Sequence, residues 1–193
     1  MSNTTPKTAP YGSWKSPITS DLIVAQSITL SEVRLDGGDI YWLEGRPQEQ
    51  GRSVIVRGEE NGGTADITPL DFNARTRVHE YGGGSWTVAD GVVYFSNFAD
   101  GRLYRQARGD APRALTPAPS ARGRDWRFAD GEIDHRLHRW LGVREDHTAE
   151  GEPINALVAI DLDQAGEEPG RVIAGDHDFF SSPRLSPDGR RLL

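Results

Sequence analysis

The chain has 193 residues, about one domain's worth, and its 22 glycines and 12 prolines interrupt every long helical reading, which excludes helical bundles and coiled coils. The absence of cysteine excludes disulfides, zinc–thiolate sites and cysteine nucleophiles, and suits a reducing compartment. A formal charge of −7, with a pI near 5.2, disfavours binding to a phosphate backbone, because such domains are usually basic on at least one face.

Residues 1–30 form an arm that carries one predicted helix. Ser16-Pro17 followed by Ile18, Leu22, Ile23 and Gln26 reads as short and amphipathic, with Ser16 capping and Pro17 in the first turn. The longest aliphatic runs, at 22–25 and 157–160, are four residues, far short of the ~20 that a membrane span needs. The opening Met1-Ser-Asn-Thr-Thr-Pro6 has no apolar signal core, so a soluble cytoplasmic protein without a membrane partner is expected. Of the cationic residues only Lys7 and Lys15 are lysine, which reads as coding bias rather than chemistry.

Beyond the arm the sequence repeats. Asp39-Ile-Tyr-Trp-Leu-Glu44, Val92-Val-Tyr-Phe-Ser-Asn97 and Arg139-Trp-Leu-Gly-Val-Arg144 share one β pattern, and Arg190-Arg-Leu-Leu193 begins a fourth. Aligning Ile40, Val93, Trp140 and Leu192 gives intervals of 53, 47 and 52 residues, in the range of propeller blades. Shorter extended pieces precede these strands at 33–35, 85–89, 127–129 and 183–186. Tight turns at Asp36-Gly37, Asp90-Gly91 and Asp188-Gly189 join three of the four pairs, since Asp-Gly tolerates the positive φ of two-residue hairpins. In the third pair Asp130-Gly131 comes early, and residues 134–138 supply the turn. Third strands follow at 53–57, 103–107 and 156–162, then short outer strands at 66–68, 113–115 and 171–174.

The expected fold is all-β: a partial β-propeller of four-stranded antiparallel blades, about three and a half of them, with a short N-terminal helix. The blades fall at about 31–70, 84–117, 125–175 and, truncated, 181–193. A two-layer β-sandwich with coincidental spacing is the competing architecture. Closed propellers have about four to eight blades, so an N-terminal fragment is the economical account.

Alternating strands put the connections from second to third strand, and from blade to blade, on one face of the ring. Three segments on that face couple histidine to carboxylate: Arg75-Thr-Arg-Val-His-Glu-Tyr-Gly-Gly-Gly84, Arg144-Glu-Asp-His147 and Asp176-His-Asp-Phe-Phe180. His79, Glu80, Tyr81, Glu145, Asp146, His147, Asp176, His177 and Asp178 are therefore candidates for lining a substrate route or a domain interface, with loop-bracing hydrogen bonds as their commonest alternative role. No ligand spacing links them into a metal site. His79-Glu80 is not the zinc-protease helix motif, because Gly83 stands where its second histidine belongs, and His135 and His138 sit on a turn. Gly82–Gly84 lacks phosphate-loop context and reads as backbone entering a crowded inner strand. Trp14, Trp42, Trp86, Trp126 and Trp140 could form a sugar-stacking platform, but recurrence in or beside the strands favours blade-to-blade packing. The nucleophile elbow G-x-S-x-G is absent, and no catalytic triad is recognisable.

Tyr11-Gly-Ser-Trp-Lys-Ser-Pro-Ile-Thr19, Val78-His-Glu-Tyr-Gly-Gly-Gly84, Arg144-Glu-Asp-His147, and the stretch from Asp176 through Ser-Pro-Asp-Gly189 resemble, in this order, the N-terminal half of the acylaminoacyl-peptidase-like branch of the prolyl oligopeptidase family. The resemblance implies a propeller that covers an α/β-hydrolase domain, restricts entry to short or N-acylated peptides, and contacts them near the N-terminus. The catalytic Ser, Asp and His belong to that missing domain, so no catalytic residue is carried over, and no cofactor is implied. The implied partners are a peptide substrate and the hydrolase domain, not nucleic acid. Glu59-Glu60 lies on the wrong face to match the paired glutamates of the dipeptidyl-peptidase branch, so aminopeptidase-like specificity is not implied. Two rivals stay open: a non-catalytic propeller scaffold for protein partners, and a sugar- or lactone-processing metal propeller.

Overall fold

The computed structural model describes residues 8–24, 27–121, 123, 125–164, 166 and 168–193. It contains three four-stranded antiparallel sheets and the first bridge of a fourth. The first blade comprises β1 (Thr29–Asp36), β2 (Asp39–Arg46), β3 (Arg52–Gly58) and β4 (Thr64–Asp66). The second comprises β5 (Trp86–Ala89), β6 (Val92–Ser96), β7 (Leu103–Ala107) and β8 (Arg113–Ala114). The third comprises β9 (Trp126–Asp134), β10 (Arg139–Asp146), β11 (Ile154–Asp161) and β12 (Arg171–Ala174). In every sheet each strand pairs with its neighbour in sequence, so each blade is a simple meander. First strands of successive blades lie against one another, β1 with β5 and β5 with β9, which makes them the inner strands of a ring.

Several local expectations shift. The helix, α1 (Ser20–Val24), starts later than expected and is capped by Thr19, whose Oγ1 accepts from the Leu22 amide at 3.1 Å. Ser16 Oγ instead accepts from the Ile18 amide at 3.0 Å, bracing the turn before the helix, and Gln26 lies outside the described residues. The first hairpin reverses at Gly37-Gly38, because Asp36 is still paired with Asp39. At Asp90-Gly91 both residues take positive φ, 52° and 73°, as a two-residue hairpin requires. The outer strand of the first blade lies at Thr64–Asp66 rather than 66–68. The expected strand at 183–186 is reduced to a bridge between Leu185 and Leu192.

The core lies between blades. Trp86, Val93 and Phe95 of the second blade pack on Tyr41, Leu43 and Ile55 of the first, with Ala74 from the connection between them. Tyr94, Leu103 and Leu115 pack on Phe128, Trp140, Val158 and Ile160 of the third. Adjacent residues such as Val93 and Tyr94 thus serve opposite interfaces, as the period-2 side-chain alternation of a strand dictates. Each large apolar side chain so buried contributes roughly 1.5–3 kcal/mol. The Trp140 indole lies over Gly131 and Gly142, where an added Cβ would fall 2.3 and 2.1 Å from ring atoms, so both positions have to be glycine. Trp86 and Trp140 are core residues, Trp126 is partly buried against the same cluster, and Trp14 is exposed.

The inner strands are tied by one carboxylate. Asp130, at φ 55° in a bulge of β9, accepts from the Gly84 amide through Oδ1 at 2.7 Å and from the Ser182 amide through Oδ2 at 2.9 Å. Its own amide donates to the Gly84 carbonyl at 2.7 Å. A Cβ on Gly84 would lie 2.9 Å from Asp130 Oδ1, and one on Gly83 3.1 Å from Ala129 Cβ, which explains the glycine run. On the opposite face the turns are also linked, since Asp36 accepts from the amides of Asp90 and Gly91 at 3.1 and 2.6 Å. Asp130→Ala deletes the acceptor for two amides that join three blades and places alanine at positive φ. Its unfolding free energy in a urea titration should fall by about 3 kcal/mol, whereas Asp110→Ala on a surface turn should leave it within about 0.5 kcal/mol.

Candidate functional site

A cleft of about 770 Å³ opens where the connections named in the sequence meet. The loop after β4 supplies His79 and Glu80, β9 supplies Arg127, and β10 supplies Glu145. The β10–β11 connection and the start of β11 supply His147, Glu152, Pro153, Ile154 and Asn155, and the loop after β12 supplies residues 176–179. Of the nine candidates, seven line this cleft. Tyr81 projects into solvent with its ring 6.1 Å from that of His79, and Asp146 turns away to Thr148, whose Oγ1 donates to it at 2.6 Å. The alternation of β10 puts Asp146 on the other face of the sheet from Glu145.

Glu145 is the centre of the site, and its side chain is only 3% exposed. Oε1 accepts from the His79 amide at 2.9 Å, and Oε2 accepts from Arg127 Nη1 at 3.0 Å and from His147 Nε2 at 2.7 Å. Arg127 stands opposite Glu145 in the β9–β10 register, so the ladder itself creates the pair. Arg127 Nη1 also donates to the Arg77 carbonyl at 2.8 Å and to Glu80 Oε1 at 2.7 Å. A buried carboxylate needs this many donors, since leaving it unpaired costs several kcal/mol.

The same bonds hold strained backbone. His79 and Glu80 are consecutive residues at φ 55° and 65°, a conformation that costs a side chain roughly 1–2 kcal/mol per residue. His79 Nε2 donates to the Phe180 carbonyl at 3.1 Å, which leaves Nδ1 facing Glu145 Oε1 at 3.7 Å without a hydrogen bond. Phe179 meets the His79 ring edge-on at 5.1 Å. Arg127 beside Glu80 holds that exposed carboxyl below the usual carboxylate range. For Asp146 partial burial pushes upward, but the two bonds from Thr148 and the nearby Arg144 outweigh it and hold the carboxyl low. Asn155 is buried, and its Oδ1 has no hydrogen-bond partner among the described residues. Among the described residues no three histidine, aspartate or glutamate side chains are grouped to hold a metal ion.

Arg127, Glu152, Asn155 and Phe179 belong to the site but were not singled out from the sequence. Arg127 could have been found, since the inner-strand residue opposite a carboxylate is fixed once the hairpin register is known. Phe179 lies in the segment 176–180 already placed on this face, and nothing in the sequence marks Glu152 or Asn155.

No family model matches the chain, and no curated protein matches it. Solved structures do. The structure of a Mycobacterium tuberculosis puromycin-hydrolyzing peptidase is 37% identical, with a TM-score of 0.83 over 97% of this chain. Puromycin hydrolase is 34% identical at a TM-score of 0.82 over 97%, and a mutant of puromycin hydrolase complexed with PGG matches equally over 96%. The chain spans 30% of the length of each. Four-stranded blades stacked face to face, in this sequence and at this similarity, define a partial β-propeller. The chain is thus similar to the propeller portion of these peptidases, in keeping with its resemblance to the N-terminal propeller of the prolyl oligopeptidase family.

Arg127→Met withdraws the guanidinium from buried Glu145, and denaturant unfolding should show a loss of about 3 kcal/mol at neutral pH. Glu80 has a depressed pKa in the folded state, so its contribution is present above its unfolded pKa and lost as pH falls. The gap between wild type and variant should therefore narrow in acid, and a constant gap from pH 7 to pH 3 would contradict the pairing.

Proposed function

We propose that the chain is the substrate-gating propeller of a cytoplasmic serine peptidase that acts on short peptides, and that its cleft abuts the hydrolase domain and lines the route to it. On this reading the chain binds and admits substrate, and a partner α/β-hydrolase domain performs acyl transfer. Support comes from the similarity to puromycin-hydrolysing peptidases and from the charge of the cleft. Glu80, Glu145, Glu152, Asp176 and Asp178 stand against Arg127, which is already bonded to Glu80 and Glu145. Glu152, Asp176 and Asp178 have no ion-pair partner among the described residues.

That imbalance is the observation that carries the reading of substrate. A surplus of carboxylates, beside the unpartnered Asn155 Oδ1, favours a cationic hydrogen-bond donor over a neutral acyl group. A peptide with a free amino terminus fits this better than an N-acylated one, which departs from the expectation drawn from Glu59-Glu60.

Kinetics on the intact enzyme test it. Neutralising Glu152 and Asp178 together (Glu152→Gln, Asp178→Asn) should raise KM for aminoacyl substrates, puromycin included, by about tenfold, and for N-acetylated peptides by less than about twofold. Asp90→Asn, on the opposite face, should change neither. Equal effects on both substrate classes, or none, would remove the substrate route from this cleft. Assayed alone with chromogenic aminoacyl or acyl-peptide substrates, the chain should show no turnover that serine-directed reagents abolish.

A further inference from the structure

We propose that Arg75 and Arg77, both stacked on the Phe98 ring, form a carboxylate subsite beside the cleft that holds the C-terminal end of a short peptide. This subsite rests on the reading of the cleft as a substrate route and adds a second point of contact to it.

Burial alternates from Ala74 to Val78, so Arg75 and Arg77 share the exposed side of one extended stretch. Their guanidinium carbons lie 4.9 and 6.0 Å from the centre of the Phe98 ring. Backbone bonds fix the ring and the arginines to each other. The Arg75 amide donates to the Ser96 carbonyl at 3.1 Å, and the Phe98 amide donates to the Asn73 carbonyl at 2.9 Å. A guanidinium that stacks by its face keeps its N–H edge for a planar partner with two oxygens. Stacking also restrains the long side chains, which lowers the entropy lost when a ligand binds.

The charges around this ring call for an anion. On a chain of formal charge −7, the shallow notch beside Phe98 is lined by Arg75, Arg77 and Arg127 and, among the described residues, by no carboxylate. Arg75 has no ion-pair partner among the described residues. Asp100, two residues from Phe98, is committed elsewhere, since it accepts from Asn97 Nδ2, the Arg102 amide and the Tyr104 hydroxyl. Arg77 reaches Glu80 only at 3.4 Å, while Arg127 holds the same carboxyl at 2.7 Å. Arg127 also lines the acidic cleft, so a cationic and an anionic surface adjoin across one residue. The carboxylate and amino ends of a zwitterionic peptide match that pair. A peptide spans at most about 3.6 Å per residue, so two surfaces lying side by side suit the ends of a chain of few residues. Length is then selected by reach as well as by entry.

Kinetics on the intact enzyme, with each short peptide supplied as the free acid and as the C-terminal amide, test this. KM for the free acid should be about tenfold lower than for the amide. Arg75→Met, which keeps an apolar stem on the ring, should raise KM for free acids about tenfold and leave that for amides within about twofold. Arg75→Lys, with the charge but not the fork, should fall between wild type and Arg75→Met. Arg108→Met, in the β7–β8 turn on the opposite face, should change neither. Arg75 is exposed, so its replacement leaves the blade interfaces intact, and an unchanged urea midpoint checks this. The same pairs with acetylated amino termini separate the subsite from the amino-terminal contact. An acid preference that survives acetylation and disappears in Arg75→Met supports the subsite even where Glu152 and Asp178 prove idle. Equal KM for acid and amide in the wild type overturns it, as does a variant that weakens both alike or leaves the preference intact.

Discussion

A sheet of four strands with apolar side chains on both faces cannot remain single in water, and the whole molecule answers to that constraint. Val93 and Phe95 point one way from β6 and Tyr94 points the other, so the second blade is covered only when a blade lies on each side of it. Face-to-face stacking follows, and with it the contact between the first strands of successive blades. Inner strands brought this close have no room for side chains at Gly83 and Gly84, and a single carboxylate, Asp130, can then reach amides of the neighbouring blades on either side. The glycine run, the bulge at Asp130 and the notch beneath Trp140 are three local solutions to one packing demand.

The cleft is a product of the same geometry. Hairpin turns on one face are short and polar and carry little beyond the bonds that link turn to turn. Connections on the other face are longer, and there the chain places His79, His147 and His177 together with Glu152, Asp176 and Asp178. Glu145 gives that face its order: it neutralises the charge of Arg127, fixes two residues with positive φ through one amide bond, and holds His147. A buried carboxylate and two consecutive residues at positive φ thus stand together in the wall of the cleft.

Much of this was written in the residues. The recurrence of Ile40, Val93 and Trp140 at nearly constant spacing is visible because each blade is a local meander, and local pairing leaves a local signature. Topology alone brought the three histidine-bearing segments to one face. What escaped was whatever depends on register or loop course. Arg127 gained its meaning only from its partner across the ladder, and Asp146 lost its place because neighbouring residues of a strand face opposite ways. Glu152 and Asn155 enter the cleft through the course of the β10–β11 connection and the start of β11, which no pattern announces. The helix is capped by Thr19 rather than Ser16 because the hydroxyl of Ser16 closes a turn on the Ile18 amide, so that two hydroxyls three residues apart divided the work of one.

The first blade contributes no side chain to the cleft, which draws on residues 79–80 and 127–179. In a row of units that touch only their neighbours, a disturbance weakens with each interface it has to cross. Val33, Leu35 and Ile40 of β1 and β2 are thus separated from the cleft by a full blade. A substitution on the first blade therefore reaches the cleft only through the second blade or through the connection at 67–85.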